Sequence, residues 1–152
     1  KMFSVSKGLD NSTTLISTYE NRNNQNFLQI LGETIIEIIR DIPAGVLVFF
    51  PSYQSLNLTM ENWKKNNIWK RMNELKRIFS ETKSCEDFRK KSNSFLNNNS
   101  KNNMFLAVCK GKMSEGMDFS DDSARAVIIT GLPFPSKLDP RINLRIQVLN
   151  EN

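Results

Sequence analysis

Residues 46–50 read Val46-Leu47-Val48-Phe49-Phe50, a wholly apolar run of β-branched, leucine and aromatic side chains. A short run of this kind is typical of a strand that is buried on both faces of a parallel sheet. Pro43 and Gly45 precede the run and break the helical pattern upstream of it. That pattern places these apolar residues on one face of a predicted amphipathic helix over 24–40: Leu28, Leu31, Ile35, Ile38 and Ile39. The order of helix, break and strand predicts an αβ unit.

Downstream of this unit the chain continues to alternate between helical and strand patterns. Residues 56–65 and 69–73 have helical composition, and residues 75–79 form a short possible strand. Residues 105–109 and 126–130 have the length and flanking residues of buried strands. The alternation predicts an α/β fold with a parallel sheet, in which functional loops follow the carboxyl ends of the strands.

Composition narrows the possible functions. The 152 residues are 39% hydrophobic, enough for the core of one domain, and they include no histidine, which excludes Ser/His and Cys/His catalytic pairs. The two cysteines, Cys85 and Cys109, are far apart and form no CxxC pair, so neither a zinc site nor a disulfide framework is indicated. The formal net charge of +5 favours a polyanionic partner. No apolar run approaches the roughly 20 residues of a membrane span, so we expect no membrane partner.

Two polar features are interpreted as surface. An asparagine-rich stretch at about 92–103 is predicted to be a flexible insertion, because it offers little apolar surface to bury. Six basic residues are predicted to form a solvated face: Lys64, Lys65, Lys70, Arg71, Lys76 and Arg77. The chain begins with Lys1 and ends at Asn152 within a predicted helix, so we expect a segment of a longer protein.

The most specific passage is residues 107–120, where an apolar run enters a loop that holds two lysines, two carboxylates and two glycines. Gly111 and Gly116 have the spacing of a phosphate-binding P-loop, but the Lys-Ser/Thr pair that should follow is Met117-Asp118. The passage is therefore not a P-loop. Its carboxylates can accept hydrogen bonds from a ribose hydroxyl or an arginine, or bind magnesium-bound water.

Residues 111–118, continued by 124–135, resemble motif V of the iron-sulfur superfamily 2 helicases related to the xeroderma pigmentosum group D protein. Residues 45–53 are similar to motif IV of the same family, and Trp63 lies where that family often carries a tryptophan. The resemblance covers nearly the whole chain. It implies that residues 1–152 are a partial C-terminal helicase domain, a RecA-like motor domain 2 that ends before motif VI.

The resemblance also implies roles for particular residues. Glu115, Gly116 and Asp118 match the motif V positions that link nucleotide state to DNA grip. Four further residues lie on loops suited to DNA backbone contacts: Ser52, Tyr53, Lys110 and Lys112. Other interpretations remain open for these four. Ser52 could cap the following helix, Tyr53 could pack beneath it, and the lysines could neutralise the motif V carboxylates.

For the parent protein, the resemblance implies an ATP-dependent 5′-to-3′ DNA helicase of repair or telomere maintenance, nuclear and monomeric. ATP and Mg²⁺ would be shared with the first motor domain, and the 4Fe-4S cluster would lie outside this segment. The Walker A, Walker B and motif VI residues are not found here, so this segment alone should not hydrolyse ATP. Two alternatives are a RecA-like interaction scaffold without enzymatic activity and a DNA translocase that does not unwind duplexes.

Overall fold

A computed structural model gives the structure of this chain and describes residues 2–18, 20–82, 84–97, 102–113 and 124–133. The helices are α1 (Gln25–Arg40), α2 (Tyr53–Lys65), α3 (Ile68–Leu75) and α4 (Cys85–Asn97). The strands are β1 (Val46–Phe50), β2 (Arg77–Ser80), β3 (Asn103–Val108) and β4 (Ala126–Ile129). A single 3-10 turn, Asn21–Asn23, precedes α1.

The strands in the described ranges form one sheet in the order β2-β3-β1-β4, and every pairing is parallel. Val46 of β1 lies opposite Met104 of β3 on one side and Ala126 of β4 on the other. The predicted α/β class, a RecA-like parallel sheet flanked by helices, is confirmed. Because the strands are parallel, their carboxyl ends meet at one edge of the sheet, here called the carboxyl edge.

One face of the sheet is covered by α1, α2 and α3. The core on this face joins Val46, Val48 and Phe50 to the apolar faces of the three helices. Trp63 is fully buried there, and its indole Nε1 donates a hydrogen bond of 2.8 Å to the Leu28 carbonyl oxygen. A buried indole N–H requires such a partner. Trp63 therefore links α2 to the start of α1.

The opposite face is covered by α4, and aromatic side chains dominate its core. Phe95 of α4 contacts Phe79 and Phe105 edge-on, with ring centroids 6.0 and 5.5 Å apart. The predicted flexible insertion over 92–103 was wrong at both ends, since residues 92–97 form the last turns of α4 and Asn103 begins β3. The reason is burial: Phe95 offers apolar surface to the sheet that the asparagine-rich composition conceals. Residues 98–101 lie outside the described residues.

Lys76 also departs from the sequence interpretation. It was predicted to lie on a solvated face, but it is only 2% exposed and joins α3 to β2. Its Nζ donates to the carbonyl oxygens of Ile42 and Ala44 at 2.8 and 2.7 Å, and burial lowers the pKa of Lys76. The ammonium thus holds the connection that leads from α1 into β1. None of the helices in the described ranges is both long and apolar enough to cross a membrane.

Replacement of Gly32 by alanine should destabilise the protein, although alanine is the better helix former by about 1 kcal/mol. Gly32 lies in α1, and a Cβ atom there would be 2.6 Å from Trp63 Nε1 and 2.8 Å from Ile68 Cγ2. We expect Gly32→Ala to lower the free energy of unfolding by about 1–3 kcal/mol in urea denaturation, the cost of overpacking a core. Gln29→Ala, at an exposed position of the same helix, is the matched control and should change it by less than about 0.5 kcal/mol. Equal effects of the two substitutions would contradict this account.

Candidate nucleic-acid interface

The carboxyl edge brings together two of the loops that the sequence singled out. Phe50 and Val108 are register partners at the ends of β1 and β3, and the Cys109 amide donates to the Phe50 carbonyl oxygen at 2.8 Å. Ser52 and Tyr53 follow β1, whereas Lys110 and Lys112 follow β3. The four predicted DNA-contacting residues therefore lie on two adjacent loops. We call these the β1 loop (residues 51–53) and the β3 loop (residues 109–113).

Ser52 is the N-cap of α2. Its backbone is extended, with φ −158°, and its hydroxyl oxygen accepts a hydrogen bond of 3.2 Å from the Ser55 amide. Capping was the alternative interpretation of this residue, and the structure shows it. A serine hydroxyl can donate as well as accept, and the positive end of the α2 dipole favours an anion nearby. The cap is thus compatible with a phosphate contact, which stays a prediction.

Tyr53 begins α2 and lies partly buried against the core. Its hydroxyl donates a hydrogen bond of 2.6 Å to Oε1 of Glu81. Packing was the alternative interpretation of Tyr53, and the structure shows this contact as well. The role of Tyr53 toward DNA stays a prediction.

Glu81 is a residue of this edge that the sequence analysis did not single out. It follows β2 directly and is only 4% exposed. Oε1 accepts the Tyr53 hydroxyl and the Lys112 amide at 2.6 and 2.9 Å, and Oε2 accepts the Val108 amide at 2.9 Å. A buried carboxylate is costly unless hydrogen bonds compensate, and these three do so. One feature of the sequence could have indicated Glu81: it is the first acidic residue after the predicted strand at 75–79.

The β3 loop turns sharply beside this carboxylate. Lys110 adopts a left-handed backbone with φ 58°, and the Gly111 amide donates to the Val108 carbonyl oxygen at 2.9 Å. A Cβ atom on Gly111 would lie 2.5 Å from Glu81 Oε1 and 2.8 Å from the Val108 oxygen. Position 111 therefore requires glycine because of this close approach.

The two lysines of the β3 loop have different surroundings. Lys110 is exposed. The Lys112 ammonium lies 5.9 Å from the centroid of the Phe88 ring, within cation–π range. Cys109, the first residue of the β3 loop, is half-buried, and burial raises the pKa of its thiol. Positive charge at this loop thus comes from the lysines.

The predicted nucleotide-linked residues Glu115, Gly116 and Asp118 lie outside the described residues, and their assignment stays a prediction. In the described ranges no three His, Cys, Asp or Glu side chains come together as a metal site requires.

Comparison with known proteins defines the class of this domain. The chain belongs to the helicase C-terminal domain family, whose sequence model matches residues 35–152. The match begins within α1, so it includes both loops of the carboxyl edge.

Among individual proteins, the chain is similar to regulator of telomere elongation helicase 1 homologs. Those of Drosophila yakuba, Drosophila melanogaster and Drosophila mojavensis are each 44% identical over 140 residues, which is 91% of this chain. The chain spans only 14% of the length of these relatives. The resemblance to helicases of the xeroderma pigmentosum group D type is confirmed. Within that family, the sequences Leu-Pro-Phe-Pro at 132–135 and Leu-Asp-Pro-Arg at 138–141 resemble this same helicase.

Substitution of Glu81 by glutamine should destabilise the carboxyl edge. A glutamine can place its oxygen toward only one of the two sides, so its amide group would face the N–H of Val108 or of Lys112. We expect Glu81→Gln to reduce the free energy of unfolding by about 1–3 kcal/mol, the cost of leaving a buried donor unpaired. Tyr53→Phe removes one hydroxyl and should cost about 1 kcal/mol. Urea denaturation measures both, and a Glu81→Gln variant as stable as the wild type would contradict the hydrogen-bond assignment.

Proposed function

We propose that this chain is the second motor domain of an ATP-dependent 5′-to-3′ DNA helicase, which couples ATP binding and hydrolysis to movement along single-stranded DNA and to duplex unwinding. The observation that carries the proposal is membership of the helicase C-terminal domain family. The similarity to relatives named regulator of telomere elongation helicase 1 homologs supports DNA as the substrate and a role in repair or telomere maintenance. These relatives also support a nuclear location.

The geometry of the carboxyl edge supports the DNA-binding part of the proposal. The β1 loop presents the N-terminus of α2 with its Ser52 cap, and the adjacent β3 loop presents the exposed Lys110. Hydroxyls, lysines and helix N-termini contact phosphates without reading base sequence. A translocating motor requires that kind of contact, because it must hold every sequence it passes. We assign Ser52, Lys110 and Lys112 to the DNA backbone.

The nucleotide-binding part rests on motif V. We propose that Glu115, Gly116 and Asp118 face the cleft between the two motor domains and respond to the nucleotide bound there. When bound, ATP with Mg²⁺ supplies the phosphoryl group whose hydrolysis permits the domains to separate. The first motor domain would provide most ATP contacts and the 4Fe-4S cluster. The segment studied alone should therefore be inactive.

Substitution of the motif V carboxylates should uncouple ATP hydrolysis from DNA. In the full-length protein, we expect Glu115→Gln and Asp118→Asn each to reduce the ATPase rate with single-stranded DNA by about 10²-fold, the scale on which removal of one positioned polar group acts. The measurement is phosphate release with and without single-stranded DNA, on variants whose thermal unfolding matches the wild type. Glu74→Gln is the matched control, because Glu74 is an exposed residue of α3.

The same preparation separates the alternatives. Unwinding of a duplex with a 5′ single-stranded tail, and not of one with a 3′ tail, would support the proposed polarity. DNA-stimulated hydrolysis without strand separation would instead identify a translocase. A folded wild type that hydrolyses no ATP would leave the interaction scaffold as the better description. Full activity in both motif V variants would refute the assignment of Glu115 and Asp118.

A further inference from the structure

The carboxylate of Glu81 links three segments of the carboxyl edge: the end of β2, the start of α2 and the β3 loop. We propose that Glu81 is a positioning residue that couples the β1 loop to the β3 loop, so that the grip of either loop on DNA depends on the other. This inference rests on the function proposed above. It concerns the regulation of that same DNA-binding edge.

The coupling begins at one oxygen atom. Oε1 of Glu81 accepts both the Tyr53 hydroxyl, which belongs to the β1 loop, and the Lys112 amide, which belongs to the β3 loop. A displacement of the first turn of α2 would therefore change the hydrogen bonding of the β3 loop. Oε2 accepts the amide of Val108, the last residue of β3, and this bond fixes the carboxylate against the sheet.

Close packing makes this link stiff. The Cα atom of Gly111 approaches the carboxylate so closely that a Cβ atom would overlap Oε1. Glu81 is almost fully buried, so it cannot exchange its partners for water without local opening. A side chain that only filled this space could be apolar at lower desolvation cost. The carboxylate differs from such a filler because it accepts from three groups at once: the Tyr53 hydroxyl and the amides of Val108 and Lys112.

The link also assigns a role to Tyr53. A tyrosine hydroxyl carries a single proton, and here that proton is donated to Glu81. Phosphate oxygens only accept from a hydroxyl, so the hydroxyl of Tyr53 cannot also donate to DNA while this bond is made. While this bond is made, Tyr53 therefore affects DNA binding through Glu81 rather than by donating to a phosphate, and its direct contact with DNA stays a prediction.

A double-mutant cycle in the full-length protein tests this coupling. The quantity measured is the oligothymidine concentration that gives half-maximal ATPase stimulation, for wild type, Tyr53→Phe, Glu81→Gln and the double variant. We expect Glu81→Gln to raise it by about tenfold and Tyr53→Phe by about threefold, on the scale of one hydrogen bond to a charged group. The two effects should not multiply in the double variant, because Tyr53 acts through residue 81 and a neutral glutamine oxygen is a weaker acceptor of its hydroxyl than a carboxylate. Both substitutions should change the half-stimulating oligothymidine concentration more than the maximal ATPase rate. A general loss of structure would instead reduce the maximal rate.

Several outcomes would overturn the inference. Multiplicative effects of Tyr53→Phe and Glu81→Gln would show that Tyr53 contacts DNA independently. An unchanged half-stimulating concentration in a folded Glu81→Gln variant would show that Glu81 does not position the loops. Glu74→Gln provides the matched change of charge at an exposed site, and an equal effect there would show that the result reflects net charge alone.

A second cycle is used if Glu81→Gln does not fold. It combines Tyr53→Phe in the β1 loop with Lys110→Ala in the β3 loop, and coupling between the loops predicts a non-additive result, whereas additivity would overturn the inference. Failure of the proposed function is recognised separately. In that case the wild-type ATPase would not respond to oligothymidine at all, and the inference would fall with it.

Discussion

The parallel pairing of β1 with both β3 and β4 is the constraint on which the remainder of the structure depends. A strand in this position must be apolar on both sides, because helices cover one face and α4 with its aromatic core covers part of the other. Parallel neighbours also require crossover connections, which here contain the helices. One pentapeptide, Val46–Phe50, therefore determines where the helices must lie and which ends of the strands meet.

The carboxyl edge follows directly from this arrangement. The chain leaves each strand at the same edge, so loops that are distant in sequence become neighbours there. Polar groups gathered at such an edge must either face a ligand or satisfy one another. Both occur in this protein: Lys110 is directed to solvent, whereas Glu81 and Tyr53 bond to each other within the edge. Glu81 accepts from the amides of Val108 and Lys112, which lie on either side of Lys110 in the chain.

Much of this fold could be predicted from the sequence, because apolar periodicity reports burial directly. The helix over 24–40 and the strand at 46–50 match α1 and β1 within a residue or two. Charged residues were harder to place. Lys76 and Glu81 are both nearly fully buried, yet each depends on partners that are about 30 residues away in sequence. A local sequence pattern cannot predict partners at that separation. Around Phe95 the neighbouring residues are polar, so the sequence predicted a flexible segment. The side chain of Phe95 is nevertheless buried, and its packing extends α4 through this segment.

The close approach of Gly111 to Glu81 has a consequence for how this domain can diverge. Any larger residue at 111 would meet the backbone oxygen of Val108 as well as Glu81, so a shorter residue at 81 would relieve only part of the overlap. It would also remove the acceptor of the Tyr53 hydroxyl. Positions 53, 81 and 111 therefore constrain one another, and a change at one of them is not repaired by a change at a second. We expect these three positions to change more slowly in evolution than residues 97–102, whose sequence is rich in asparagine.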